Sequence, residues 1–198
     1  PSAPRPRALS FDTLAVHAGR EDFGEIGVHA PPLDLSTTYP VGDLSEATAD
    51  IDAMLAGERA GHSPIYARLA SPTVDRFERA FAQLEGASDS VAFGSGMAAM
   101  TAVILAAAQR GRHVVAVRPI YGGSDHLLAS GLLGVEVSWA TPSTVKAHIR
   151  PDTSLVIIET PANPTLQLID IADVARQAGA VPLLVDSTFA TPVLQQPL

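Results

Sequence analysis

Short apolar runs alternate with helical patterns from about residue 71 onwards in the 198-residue sequence. The runs are continuously apolar, which is typical of strands that are covered on both faces. Helical patterns between successive strands indicate parallel pairing, because parallel strands need a crossover connection. The predicted strands are residues 90–93, 113–117, 135–140, 154–159 and 181–185. The predicted helices are residues 71–86, 97–110, 124–133, 143–149 and 171–179. We therefore predict an α/β fold with a mainly parallel sheet sandwiched by helices.

The first sixty residues lack this alternation and are rich in Pro, Gly, Asp and Thr. They contain one helical pattern, at residues 44–58, and open with a Pro-rich stretch at residues 1–7 that is typical of a disordered arm. We predict that residues 1–60 form an extended N-terminal arm and connecting segment. Residues 61–198 are predicted to form the domain that contains the sheet.

Composition excludes several classes of partner. The net charge of −8 argues against a polyanion such as nucleic acid. The longest uncharged apolar stretch, residues 97–108, is too short to span a bilayer. There is no cysteine, and the six histidines have no spacing typical of metal ligands, so neither thiolate chemistry nor a metal is expected. A mean hydropathy of +0.20 fits a doubly covered sheet or an oligomer equally well. A cytoplasmic location fits these features.

A glycine-rich turn, FGSGMAAM at residues 93–100, connects a predicted strand to a predicted helix. Backbone N–H groups at Gly96 and Met97 can approach an anion at the helix N-terminus. The stretch also matches the dinucleotide pattern G-x-G-x-x-A, but the next strand runs into Arg118 where that pattern needs an acidic residue. An anion site is therefore favoured over a dinucleotide site, and a turn without any ligand stays an alternative.

Three further side chains follow predicted strands, where open parallel sheets bind ligands. Tyr121, which precedes two glycines, can stack on a planar ligand. Asn163 lies between two prolines in a stiff loop and can form a fixed hydrogen bond to a ligand oxygen. Asp186 ends a buried strand with no cation nearby in sequence, so a ligand cation is a candidate partner. The alternatives are turn packing for the tyrosine, an Asx-type turn for the asparagine and a capping carboxylate for the aspartate.

Tyr66 and Arg68 lie two residues apart just before a predicted helix. In an extended segment their side chains point the same way, and a phenol beside a guanidinium can clamp a phosphate. The alternative is a surface arginine beside a half-buried tyrosine.

Taken together and in order, YAR, SGMAA, YGG, ETPANPT and VDSTFATP resemble the Cys/Met-metabolism group of pyridoxal-phosphate (PLP) enzymes of fold type I. That group includes cystathionine γ-synthase, cystathionine γ-lyase and methionine γ-lyase. The resemblance runs from about Phe11 to Leu198. It implies PLP as cofactor, an amino-acid substrate and a homo-oligomer: a dimer with shared active sites, assembled further into a tetramer.

The resemblance also implies roles for the phosphate-binding residues. The backbone at Gly96 and Met97 would hold the cofactor phosphate. Tyr66 and Arg68 would reach across a dimer interface to the phosphate in the neighbouring subunit's site.

The ring-facing residues are assigned in the same way. Tyr121 would stack on the pyridine ring and assist proton transfer, which makes it the candidate catalytic residue. Asn163 would donate a hydrogen bond to the ring hydroxyl oxygen. Asp186 would pair with the protonated pyridine nitrogen.

Lys146 is the only lysine in the sequence. It precedes Asp186, whereas the family's Schiff-base lysine follows this aspartate on the next strand, so the role cannot be carried over. Ser143 and Lys146 match the serine-acylase spacing S-x-x-K, but its companion motifs are missing. The family's lysine strand and C-terminal domain are also missing. We therefore expect residues 61–198 to be the N-terminal part of a PLP-binding domain.

For the activity, the resemblance implies a carbon–sulfur lyase that acts by γ-elimination. Residues 56–68 resemble the methionine γ-lyase version of this segment, which would convert methionine into a thiol, ammonia and 2-oxobutanoate. Gly123 departs from that version, since many methionine γ-lyases have cysteine there. Cystathionine γ-lyase, cystathionine γ-synthase and O-acylhomoserine sulfhydrylase therefore stay alternatives. A non-catalytic cofactor- or nucleotide-binding α/β domain is the alternative from another class.

Overall fold

A computed structural model describes residues 9–58 and 63–198. The predicted arm at residues 1–7 and part of the segment at 56–68 lie outside the described residues. The chain divides into two compact units, Pro1–Ala92 and Phe93–Leu198. The division at residue 60 that the sequence suggested stays a prediction. Within the described ranges, no helix combines the length and apolar character needed to cross a bilayer.

The first unit is helical in its described part. The predicted helix at residues 44–58 begins at Leu44, where the side chain of Asp43 caps it by accepting the N–H groups of Ser45 and Glu46. The helix predicted at residues 71–86 begins at Pro72 and ends before Gly86, which adopts the left-handed conformation with φ of 70°. The helices are α1 (Phe11–His17), α2 (Phe23–Ile26), α3 (Leu44–Leu55) and α4 (Pro72–Glu85).

The second unit contains a four-stranded parallel sheet with strand order β2-β1-β3-β4. This arrangement confirms the predicted α/β class. The strands are β1 (His113–Val117), β2 (Glu136–Ala140), β3 (Thr153–Glu159) and β4 (Leu183–Asp186). The helices are α5 (Gly96–Ala107), α6 (Gly122–Ala129), α7 (Val145–His148), α8 (Ile171–Ala178) and α9 (Thr191–Leu194).

The core lies on both faces of the two central strands, β1 and β3. Side chains of a strand alternate between faces, so Val114 and Ala116 join one apolar cluster while Val115 and Val117 join the other. Helices α5 and α6 contribute to the first cluster, and α7 and α8 contribute to the second. Covering on both faces explains why these strands read as continuous apolar runs. The arrangement also directs the carboxyl ends of β1, β3 and β4 toward one edge of the sheet.

The prediction of a strand at residues 90–93 is wrong. The hydroxyl of Ser90 donates to the backbone oxygen of Glu78 at 2.7 Å, and the Ala92 N–H donates to the Glu78 carboxylate at 2.8 Å. The segment is therefore hydrogen-bonded to α4, and in the described residues it has no neighbouring strand. A run of three apolar residues, Val91 to Phe93, does not specify a strand by itself.

His113 is a fully buried histidine at the start of β1. Its Nδ1 lies 2.7 Å from the Thr153 hydroxyl oxygen, and its Nε2 lies 2.9 Å from the Ser138 hydroxyl oxygen. Both partners lie on strands that flank β1, so the ring connects three strands. Burial, the main cause, lowers the pKa of His113 below its ordinary value of 6.5.

We expect the free energy of unfolding to fall as the pH drops from about 7 to about 5. Because the pKa is lower in the folded protein, the unfolded chain binds the proton more readily below pH 6.5. The charged groups around His113 act in both directions: Arg150 and His148 lower its pKa, whereas Asp152 and Glu136 raise it. Urea unfolding of the wild type and of His113→Gln across this range tests the assignment. An equally steep pH dependence in the variant would contradict it.

Candidate active site

A cavity of about 310 Å³ lies in the second unit, at the carboxyl ends of β3 and β4 and at the N-termini of α5 and α6. Five of the seven predicted site residues line it: Gly96, Met97, Tyr121, Asn163 and Asp186. The structure thus brings together residues that are up to 90 positions apart in the sequence. The other lining residues are Ser95, Met100, Ser124, Glu159, Pro161, Thr188 and Phe189.

The N-terminus of α5 presents backbone N–H groups to this cavity. Ser95 caps the helix, and its hydroxyl oxygen accepts the Ala98 N–H at 3.1 Å. In the described part of the chain, the N–H groups of Gly96 and Met97 donate no hydrogen bond, as expected for the first turn of a helix. A β-carbon added at Gly96 would have no heavy atom within 4 Å apart from its chain neighbours and the backbone of its own helix. Free donors, the positive end of the helix dipole and open space together suit an anion.

Tyr121 immediately precedes α6, and 45% of its surface is exposed. Its ring lies against Gly123: a β-carbon at that position would lie 2.5 Å from Cε1 of the ring. Any larger residue at position 123 would therefore require the tyrosine ring to move from this place. The glycine that departs from the methionine γ-lyase pattern is thus coupled to the placement of the ring.

Arg118 anchors the loop that carries Tyr121. Its guanidinium group binds both carboxylate oxygens of Asp125, with distances of 2.7 to 3.1 Å, and stacks on Trp139 at 3.6 Å from the ring centroid. The bidentate pair joins the end of β1 to the first turn of α6, and the stacking joins it to β2. These contacts fix both ends of the short loop.

Asp186 ends β4, and its carboxylate is divided between two environments. Oδ1 accepts the backbone N–H of Thr188 at 3.1 Å and its hydroxyl at 2.5 Å. No described residue donates a hydrogen bond to Oδ2. The predicted capping role and a free acceptor therefore coexist on one side chain.

The prediction that Asp186 ends a buried strand is wrong in one respect. Strand β4 is the edge strand of the described sheet, and its four residues are only half-buried. The cost of desolvating this carboxylate is accordingly smaller than its apolar sequence context suggested.

The loop that contains Asn163 is held in place by backbone hydrogen bonds in addition to its two prolines. The Ala162 N–H donates to the Gln167 oxygen at 3.0 Å, and the Leu166 N–H donates to the Ala162 oxygen at 2.7 Å. The Asn163 side-chain amide makes no hydrogen bond to any described residue, so the predicted alternative of an Asx-type turn is not what holds the loop. The amide is available to a ligand.

Glu159 was not among the predicted site residues, although it lines the cavity at the end of β3. It is 4% exposed, and its two carboxylate oxygens accept backbone N–H groups from Tyr121 and Asn163, each at 2.5 Å. The available signal was a single acidic residue that ends an apolar run. Its partners, 38 positions upstream and four positions downstream, could not be found from local sequence.

Tyr66 and Arg68 belong to the first unit, and they do not form the extended pair that was predicted. The chain turns here, since the N–H groups of Leu69 and Ala70 both donate to the Tyr66 oxygen. The turn places the Arg68 guanidinium over the tyrosine ring at 5.0 Å from its centroid. A cation–π contact therefore joins the two side chains.

Lys146 lies on the short helix α7 and is not among the residues that line the cavity. Among residues 9–58 and 63–198, no group of three or more His, Cys, Asp or Glu residues could hold a metal ion. The cavity thus combines four groups that can bind a ligand. They are the N–H groups at the start of α5, the Tyr121 ring, the Asn163 amide and the free carboxylate oxygen of Asp186.

Comparison with known proteins gives consistent matches along the chain. The family model described as "Cys/Met metabolism PLP-dependent enzyme" matches residues 12–198. L-Methionine gamma-lyase of Streptomyces avermitilis is 56% identical over 194 residues, covering 97% of this chain and 47% of that protein. O-Succinylhomoserine sulfhydrylase of Pseudomonas aeruginosa is 38% identical, covering 96% and 47%. The crystal structure of metB from Corynebacterium glutamicum matches with a TM-score of 0.82 at 33% identity, covering 98% and 49%. The chain thus spans about half the length of the relatives it matches.

Proposed function

The chain belongs to the Cys/Met metabolism PLP-dependent enzyme family, and on that premise we propose that the full-length protein is a methionine γ-lyase. The reaction would consume methionine and water and release methanethiol, ammonia and 2-oxobutanoate. One observation carries this choice: three relatives at 53–56% identity are named L-methionine gamma-lyase. Relatives named for sulfhydrylase or cystathionine γ-lyase activity share 36–38%.

The residues of the cavity suit PLP. A volume of about 310 Å³ lies at the lower end of the range that small-ligand pockets occupy. The N–H groups of Gly96 and Met97 would bind the phosphate, and the exposed ring of Tyr121 would stack on the pyridine. When bound, PLP supplies an electron sink that stabilises negative charge developing on the substrate.

Each side chain would then have a defined task. Asp186 Oδ2, which is free of other partners, would hold a proton on the pyridine nitrogen. The Asn163 amide would donate to the ring hydroxyl oxygen and restrict rotation of the ring. The Tyr121 hydroxyl would move a proton between substrate atoms and its own oxygen.

We also propose a homo-oligomer, a dimer with shared sites that assembles into a tetramer, and a cytoplasmic location. Exposed apolar side chains support the oligomer: Phe77 and Phe81 stack on each other at 5.8 Å, and 58% of Phe77 is exposed. In the shared site, Tyr66 and Arg68 of one subunit would reach the phosphate bound by the other.

Complementation tests the shared site. Full-length Arg68→Ala and Asp186→Ala should each be inactive alone, whereas their co-expression should restore roughly a quarter of the activity, because each hybrid dimer has one intact site. Co-expression with no recovery, in hybrids shown to form by mass measurement, would contradict sharing.

Substrate identity is tested on the full-length protein with methionine, with cystathionine, and with O-acylhomoserine plus sulfide. Thiol release and 2-oxobutanoate formation should be fastest with methionine. Preference for cystathionine or for the acylhomoserine would replace the proposal with that activity. Binding of NAD(H) without the visible absorption band of bound PLP would favour the non-catalytic α/β domain.

A further inference from the structure

We propose that Glu159 is a positioning residue that sets the spacing of Tyr121 and Asn163 in the cavity, an inference that rests on the proposed cofactor site. The two residues belong to different loops: Tyr121 follows β1, and Asn163 follows β3. Each loop has its own anchors, and Glu159 is the side chain that connects both loops to one point. That point is the end of β3, a central strand of the sheet.

The geometry of the contact is symmetrical. Glu159 Oε2 accepts the Tyr121 N–H and Oε1 accepts the Asn163 N–H, each at 2.5 Å. Both contacts are made to the backbone, so they fix where each loop begins its turn and leave both side chains free to face the cavity. Charge-assisted hydrogen bonds of this kind are stronger than those between neutral groups.

The Glu159 carboxylate is buried, so water does not stabilise its charge. Glu159 is 4% exposed and forms no ion pair with any residue in the described ranges, so the two backbone N–H groups compensate its charge. A buried carboxylate without a cationic partner costs free energy relative to an apolar residue of the same size. Unlike an apolar residue, Glu159 provides two equivalent acceptor oxygens at a fixed separation.

The chemistry explains why glutamate is required. Glutamine has one acceptor oxygen and would turn an NH₂ group toward the second backbone donor, so one of the two loops would be released. Aspartate keeps both acceptors but withdraws them by one methylene, which lengthens both contacts. Either change should displace a ring-facing side chain, and a displacement of about 1 Å can cost two orders of magnitude in rate.

The test compares full-length Glu159→Gln with a control, Asp170→Asn. Asp170 caps α8, where its carboxylate accepts the Asp173 N–H at 2.9 Å, and it does not line the cavity. The measurements are the visible circular dichroism of bound PLP, its dissociation constant, kcat and KM for methionine, and the melting temperature.

Both variants should lower the melting temperature, because each removes the charge from a carboxylate that accepts backbone N–H groups. Only Glu159→Gln should alter the cofactor circular dichroism, and it should lower kcat on the order of tenfold to a hundredfold with a smaller change in KM. If Glu159→Gln does not fold, Glu159→Asp is measured in its place with the same expected signature.

Unchanged circular dichroism and kcat in the folded variant, with a loss of melting temperature alone, would overturn the inference. The unmodified protein separates this outcome from failure of the proposed function. If it shows neither the absorption band of bound PLP nor methionine turnover, the proposed function has failed and the inference falls with it. If it shows both, only the role of Glu159 is at stake.

Discussion

Replacing Asp186 with alanine should reduce methionine turnover by the full-length protein by about 10³-fold or more while leaving it folded. Asp186 Oδ2 has no hydrogen-bond donor among the described residues, and it lies in the cavity where the pyridine nitrogen is proposed to bind. Without the carboxylate, the protonated form of that nitrogen is less stable, and PLP would stabilise negative charge on the substrate less well. Stability should change little, because Asp186 is half-buried on an edge strand. Steady-state kinetics and thermal unfolding measure the two effects.

Two further variants isolate the charge from the capping contact. Asp186→Asn keeps an oxygen that can accept the Thr188 N–H but removes the negative charge, so it should be as inactive as the alanine variant. Asp170→Ala removes a capping aspartate of α8 outside the cavity. It should lower the free energy of unfolding by about 1 kcal/mol and leave turnover unchanged. Near-normal turnover in Asp186→Asn would refute the pairing with the pyridine nitrogen.

The sequence predicted the central part of the fold closely because its physical signal is local. Strand β1 has the predicted bounds, and β3 begins one residue before its predicted start. Both strands are buried on two faces, so almost every position must be apolar. The short helices α1, α2 and α9 have four to seven residues and were not predicted, since one or two turns are too few to show a repeated apolar spacing. The equally short α7 was predicted because it lies between two predicted strands.

The site was predictable to the extent that it depends on the ends of strands. Tyr121 follows β1 and Asp186 ends β4, and parallel topology brings such positions to one edge. Gly96 was predicted from its glycine-rich turn at the start of a helix, although the strand expected before that turn does not form. Glu159 could not be assigned a role in advance, because its function depends on hydrogen bonds to backbone groups that only the folded loops present. The turn after Tyr66 was not predicted for the same reason. Its two hydrogen bonds join backbone groups, and no residue type in the segment specifies them.

At the opposite end of the sheet from the cavity, Gly111→Ala should destabilise the protein by about 3 kcal/mol without changing the active site. Gly111 precedes β1, and a β-carbon there would overlap the carbonyl oxygen of Asp152 and lie 3.0 Å from its carbonyl carbon. That same oxygen accepts the His113 N–H at 3.3 Å where β1 and β3 begin to pair. Because the obstacle is backbone, no side-chain rotation can relieve it, and the start of the β1–β3 pairing must shift.

Urea unfolding measures this loss, and Gly42→Ala is the matched control. A β-carbon at Gly42 would have no heavy atom within 4 Å apart from its chain neighbours, and Gly42 does not have a positive φ, so alanine there should be neutral or slightly stabilising. The protein that remains folded should keep its kcat for methionine, since the strand ends that carry Tyr121, Glu159 and Asp186 lie at the other edge of the sheet. A Gly111→Ala protein as stable as Gly42→Ala would mean that β1 and β3 tolerate a wider separation, and the close approach at Asp152 would not be a constraint on this fold.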